Sequence, residues 1–500
     1  MTKTKTSPQT DTPHVLLTPG LSGSTLFHRA LLDAVARFPS LAKAEVPVDK
    51  KVFKERFAEV LVRFEAHRAA SPERTAIAAA LSESLESALH FGTESHSVPL
   101  LGFLKTAAVE APKLSRHPGG ARTGWVPEMT FRGVSYRGRE LLAAVELMRQ
   151  ERLATEAALA GIRWTLDRMV DGRVDLSGQR FAILGAGAEL APTAALVAAG
   201  AEVLWVDKRG PDELLRVMHE RSGTLVTMGE GDLLAAPEKI KAAIESFAGG
   251  ERVHVGLFAY APGRGRELRL AHAMQAMVDA MGAKVVKSVA MFVSPTTPGE
   301  VPAEEREYAA KQHKAAALWK KALEKARVLK HPGHFSVGSA TISHSLVGLQ
   351  GTTYQAAQYL AKMMAAEALC GRGIVGTGER VTVSANVAGI TATKSLEHPL
   401  FTAGFIGAPR FGIEIFDPQV TRTLSTLLMV HDLMNPDAPG SETRSGACAA
   451  VAGQSIHGGV RALPWEIEEL IRVAAVMGLG KRPKLLMGLL PKKKKKKKKA

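Results

Sequence analysis

The sequence is poor in cysteine, in aromatic side chains and in long apolar runs. Two cysteines in 500 residues, Cys370 and Cys448, cannot build a disulfide framework, and no Cys/His spacing of the metal-binding kind occurs. A reducing, cytoplasmic compartment with no bound metal is therefore the expectation. Aromatic residues make up 5%, which does not favour base-stacking platforms. The net charge is +16, but Lys492 to Lys499 supply eight of it and leave +8, so no nucleic-acid partner is expected. No run of about 18 apolar residues exists, which excludes a spanning helix. Residues 1–13 are polar, lack the apolar core of a secretory signal, and read as a disordered leader.

Apolar residues reach 46% of the chain, enough for a large core. His14 to Thr18 form a short apolar run, and Phe27 to Phe38 follow with helical spacing. Between them, Gly20-Leu21-Ser22-Gly23 is one residue short of a nucleophile elbow, so a turn capping the next helix through Ser24 is expected instead. Residues 29–115 read as helices with polar breaks, 119–138 as loop or short hairpin, and 139–170 as helical with a core-facing apolar stripe. The region 14–170 is thus expected to be mostly helical.

The period changes after Asp175-Leu176-Ser177-Gly178. Phe181 to Leu184 reads as a strand, then Gly185-Ala186-Gly187-Ala188, an Ala-rich helix over 190–199, and a strand Glu202 to Val206 closed by Asp207. This is a βαβ unit with a glycine-rich first turn, the start of a dinucleotide-binding fold. Glycine lets the backbone approach a pyrophosphate, and a carboxylate 20 residues after Gly187 suits ribose hydroxyls. Asp207 therefore favours NAD over NADP, although Lys208 and Arg209 follow at once and suit a 2′-phosphate. Further strands are expected at Leu225 to Thr227, Val253 to Tyr260 and Val381 to Gly389, with helices over 266–281 and Gln419 to Met434. The run Val285 to Val293 is either an extra strand or the fifth strand itself, with 299–334 as an insertion.

A second segment carries chemistry. The β-like run Phe335 to Ile342 precedes Ser345; Gly348 and Gly351 suit a turn; Tyr354 to Leu369 reads as a helix bearing Gln358, Tyr359 and Lys362. In order and interval, Ser345, Gly348, Gly351 and Lys362 resemble the serine-to-lysine segment of the short-chain dehydrogenase/reductase family. Gln358 stands where the family's catalytic tyrosine belongs, four before the lysine. Asp232-Leu233 resembles the family's adenine-side pair. Ala259-Tyr260-Ala261-Pro262-Gly263 is similar to the enoyl-acyl-carrier reductase branch. Gly389 and Thr393, four residues apart, match the family's glycine and nicotinamide-side threonine, and Ala452 to Gly459 resembles its last strand, one residue short. The resemblance covers roughly 177–462.

It implies an α/β fold, a doubly wound Rossmann sheet with a helical N-terminal extension, binding NAD or NADP as a homo-oligomer. It implies hydride transfer between nicotinamide and a carbonyl or hydroxyl group of a small-molecule or acyl substrate, possibly 3-oxoacyl. The alternatives are an enoyl-thioester reductase and a catalytically inactive scaffold. By position Ser345 would hold the substrate oxygen, Lys362 the ribose, and Gly185, Gly187, Asp207, Asp232, Ala261, Gly389 and Thr393 the dinucleotide. An amide cannot exchange a proton at neutral pH, so Gln358 leaves the tyrosine role to Tyr354, about 40° from the Gln358 direction on a helix. The 463–500 region, outside the resemblance, reads as a helix from Trp465 to Met477 and then a lysine tail. Lys492 to Lys499 suit peripheral contact with an anionic membrane or act as a solubilising tail.

Overall fold

A computed structural model describes residues 12–121, 124–261, 263, 265–372, 381–393, 399–441 and 453–485. Its centre is a seven-stranded sheet: β1 (Ser115–Pro118), β2 (Arg180–Leu184), β3 (Glu202–Val206), β4 (Thr224–Thr227), β5 (Val253–Leu257), β6 (Val286–Val293) and β7 (Thr382–Val387). The spatial order is β7-β6-β5-β2-β3-β4-β1. β2 to β7 are all parallel, while β1 runs antiparallel along the β4 edge. The parallel strands reverse direction of progression between β2 and β5, the doubly wound order that leaves a crevice at the carboxyl ends of the strands. This is an α/β Rossmann-like fold.

Register sets the crevice. Leu184 pairs with both Val206 and Leu257, Leu257 with Met291, and Met291 with Ala385. The residues after each strand therefore emerge along one edge. The central parallel strands are nearly continuous apolar runs because helices cover both faces of the sheet, whereas β1 at the edge is polar and largely exposed. One face carries α5 (Arg266–Met281) and α6, which runs Thr352–Gln358, then a π turn Tyr359–Met364, then Ala365–Arg372. α1 (Gly23–Arg37), α2 (Lys50–Ala70) and α3 (Arg74–Glu86) share that core. The other face carries α4 (Thr193–Ala198), α8 (Pro418–Met434) and the helices Leu141–Gln150 and Glu156–Asp167. A third apolar cluster joins α9 (Ile467–Lys481) to residues 408–413, next to α7 (Pro399–Gly407).

The helices before residue 170 thus pack into the sheet's own cores, and the same region supplies strand β1. A buried ion network fastens it. Arg68, fully buried, pairs with Glu65 at 2.7 Å and with Glu367 of α6 at 3.0 Å; Arg74 reaches Glu367 at 2.8 Å and Glu300 at 3.1 Å. The Tyr359 hydroxyl donates to Glu65 at 2.6 Å. The α6 face that carries Tyr359 is therefore covered by α1 and α3 of the same chain.

Several expectations are corrected. β6 is the fifth parallel strand and 299–344 is the insertion after it. Phe335 to Ile342 is not one strand but a hairpin, His334–Val337 with Ala340–Ser343, turned at Gly338 with φ 56° and lying off the main sheet. Short apolar alternation is the same in a hairpin arm as in a core strand, so pattern alone does not separate them. The helix expected over 190–199 begins only at Thr193, after Pro192. The stretch 29–115 also holds the short strands Leu89–Gly92 and Ser97–Pro99. Ser22, not Ser24, caps α1, accepting from the Thr25 N–H. The family-like last strand survives as one bridge, Val387 with Ser455. Cys370 is disulfide-bonded. Among the described residues no helix is long and apolar enough to cross a membrane, and no cluster of metal-ligating side chains occurs. Lys492 to Lys499 lie outside the described residues.

Candidate functional site

The chain leaves β2 through Gly185, whose φ of 83° and contact with the Ala259 backbone exclude a side chain. Two residues on, the Gly187 N–H donates to the Asp207 carboxylate at 3.0 Å, tying the glycine turn to the end of β3. Asp207 also accepts from the Arg209 N–H at 3.1 Å. Asp232 sits beyond it, in an ion pair with Lys208 at 2.7 Å.

A cavity of about 1020 Å³ opens where β2, β5, β6 and β7 end. Ala188 to Leu190 of the glycine turn, Tyr260 after β5, Ser294 after β6 and Gly389 after β7 all line it. Tyr354, Gln358 and Lys362 of α6 line it too, as does Thr393. Gly185, Gly187, Asp207, Asp232 and Ala261, expected at the dinucleotide, are not among the residues that line it. The Gly389 backbone lies against the Phe416 ring, so a side chain there would collide with it.

Ser345 is not at this site. It is fully buried, accepting from Ser343 at 3.0 Å and donating to the Thr297 carbonyl at 3.1 Å. The serine at the strand end is Ser294, because β6 and not the hairpin is the strand that reaches the cavity. Its N–H donates to Gln358 Oε1 at 3.0 Å and its hydroxyl meets Thr296 Oγ1 at 2.8 Å. The signal was present in the apolar run Val285 to Val293 that ends on it. Glu267, in the first turn of α5, gave no signal. Its carboxylate is buried; Oε1 accepts from Lys362 Nζ at 3.0 Å and Gln358 Nε2 at 3.2 Å, and Oε2 from the Ala261 N–H at 3.3 Å.

Gln358 therefore has a bridging job. Its oxygen holds the end of β6 and its nitrogen holds the head of α5, so the amide spans the two elements with two separate atoms. Tyr354 fills the space one turn earlier. Burial pushes its phenol well above the ordinary tyrosine range; a hydrogen bond with Ser294 works the other way, and the Glu267 charge adds to the rise. The π turn matters to this layout. Between Tyr354 and Gln358 an α-helix drifts about 40°. The wider π turn that follows takes the drift back, so Lys362 returns to the Tyr354 side. Tyr359 points the opposite way, into the ion network, and serves packing.

A side chain at Gly185 would run into the Ala259 backbone, Asp207 stands at the end of β3, and Lys362 and Thr393 both line the cavity.

No family model matches the chain, and no curated protein matches it. Among solved structures it is similar to the crystal structure of a short-chain type dehydrogenase/reductase from Mycobacterium marinum. The likeness has a TM-score of 0.32 and 14% identity, and covers 57% of this chain and 96% of that chain. No residue role is transferred from it.

Proposed function

We propose that this chain is an NAD(P)-dependent oxidoreductase of the short-chain dehydrogenase type, working as a reductase on a carbonyl group. The observation that carries the reading is the convergence of the glycine turn, Ser294, Tyr354 and Lys362 on one cavity. Lys362 and Thr393 would hold the nicotinamide end, and Asp207 the adenosine ribose. When bound, the dihydronicotinamide supplies a hydride to the substrate carbon.

Ser294 orients the substrate oxygen. As the C=O π bond opens, the oxygen takes the proton of Tyr354, which recovers it from solvent. A phenol raised above its ordinary range stays protonated, so it suits donation to a developing oxyanion better than abstraction from an alcohol. Glu267 takes up the Lys362 charge, so the lysine is not free to lower that phenol. The same protonated Tyr354 would serve an enoyl-thioester reductase by hydrogen-bonding an enolate, a second reading also favoured by Tyr260-Ala261. NAD(P)H oxidation with ketones against enoyl thioesters separates the two.

The primary test is calorimetric titration with NAD(H) and NADP(H). Lys362→Ala is expected to weaken binding about tenfold or more, the loss of one charge-assisted contact of roughly 1.5–3 kcal/mol. Asp207→Ala should erode NAD preference before NADP affinity, since only the 2′-hydroxyl nucleotide uses the carboxylate. If the unaltered protein binds neither nucleotide, the reductase reading fails and a scaffold role replaces it. Glu189 places a carboxylate on the wall beside the glycine turn. Glu189→Gln is expected to tighten dinucleotide binding severalfold, measured in the same titration, because one negative charge near a pyrophosphate is removed.

A further inference from the structure

The cavity has two unlike ends. Toward β2 and α6 it is polar, with Ser294, Tyr354, Gln358 and Lys362. Away from them it is walled by α7 and α9, from which Leu400, Phe401, Phe405, Ile471 and Ala475 line it. The two helices cross backbone to backbone. A side chain at Gly407 would run into the Ala474 carbonyl, and one at Gly478 into the Ala403 carbonyl. Small residues thus make the helix–helix contact, and the bulky ones are left over. Leu400, Phe401 and Phe405 of α7 are only half-buried, and with Ile471 and Ala475 of α9 they face the cavity.

Half-exposed phenylalanine and leucine on a concave wall lose the stabilisation that burial would give, about 25 cal/mol per Å² of apolar surface. Charged groups also reach the cavity, Lys54 and Glu55 of α2 and Glu468 and Arg472 of α9, and the two on α9 are tied to each other. Glu468 accepts from the Gly348 N–H at 2.5 Å and pairs with Arg472 at 2.5 Å. Continuity with the reacting groups says what covers this wall: the remainder of the molecule whose oxygen meets Ser294 and Tyr354.

We propose that the substrate carries an uncharged hydrocarbon tail, housed between α7 and α9, and that Ile471 and Ala475 of α9 limit its length. The proposal rests on the reductase reading for the place of the reacting end, but the tail lobe can be read without nucleotide. Leu400 and Phe401 grip the tail; Ala475, the smallest of the facing residues, leaves room for its end.

The test uses the full chain and Nile red, an uncharged apolar dye, displaced by butanol, octanol and dodecanol with no nucleotide present. Affinity is expected to rise roughly fourfold per added methylene until the lobe is full. Ala475→Trp should weaken dodecanol displacement about tenfold and leave butanol unchanged, with the NAD(P)H titration also unchanged. Phe401→Ala, which enlarges the lobe, should move the plateau to longer alcohols and keeps the question answerable if Ala475→Trp does not fold. Displacement that ignores chain length, or variants that leave the plateau where it was, overturns the proposal. A nucleotide titration run in parallel distinguishes that failure from failure of the reductase reading: loss of dinucleotide binding with intact length dependence sinks only the latter.

Discussion

Tyr354→Phe is expected to lower turnover by about 10²–10⁴-fold, the usual contribution of a positioned proton donor, while NAD(P)H binding stays as it was. Among the described residues of α6 that line the cavity, Tyr354 carries the only phenol. Tyr359→Phe is the control with the opposite signature. That hydroxyl is buried against Glu65 and touches no cavity wall, so turnover per folded molecule should hold while stability falls by about 1–3 kcal/mol. Ser294→Ala should follow Tyr354→Phe in direction, with a smaller loss, and Ser345→Ala should leave turnover unchanged. A chain in which Ser345→Ala abolishes the reaction and Ser294→Ala does not would refute the site as drawn. The pH profile carries a further check. Because burial raises the Tyr354 phenol, reduction should not lose rate as pH climbs through the ordinary phenol range near 10.

The second large effect concerns the tie between the N-terminal helices and α6. Arg68→Ala removes a buried guanidinium that serves both Glu65 and Glu367, and is expected to cost about 3–5 kcal/mol in denaturant unfolding. The cost comes mostly from the carboxylates left unpaired. Glu367→Gln, which keeps the shape and removes one charge, should cost less, and it answers the question if Arg68→Ala does not fold. The network also gives the protein an acid limit. Burial works to raise the Glu367 carboxyl, and the charges of Arg68 and Arg74 outweigh it, so the group sits below the ordinary carboxylate range when folded. Its unfolded value is about 4.3. A group depressed on folding contributes its full stability above the unfolded value and loses it as pH falls through the folded one. Stability should therefore fall below about pH 4, and the fall should be shallower in Glu367→Gln.

Much of the frame was legible in residue order. The βαβ start at Phe181, the glycine turn, Asp207 at the end of the next strand, and α5 over 266–281 all stand as read. Lys362, Gly389 and Thr393 line one cavity. These features depend on neighbours close in sequence: an apolar run, a glycine where the backbone must turn, a helix of Ala, Met and Leu. The misread serine shows the limit. Ser345 had the right interval to Lys362, yet a hairpin inserted after β6 displaced it, and Ser294, far from the lysine in sequence, took the strand end. Helical repeat alone could not show the π turn either, because the extra residue per turn is a matter of packing against α1, α3 and α5.

By itself, then, the order of amino acids settled that this chain winds strands and helices into a dinucleotide-type sheet, since strand runs and turn glycines carry that information locally. Only the folded arrangement decided that Ser294, Tyr354 and Glu267 stand together, that α1 and α3 occupy the Tyr359 face of α6, and that α7 and α9 wall an apolar lobe. Those are contacts between segments distant along the chain, fixed by which surfaces exclude water from each other, and no local pattern records them.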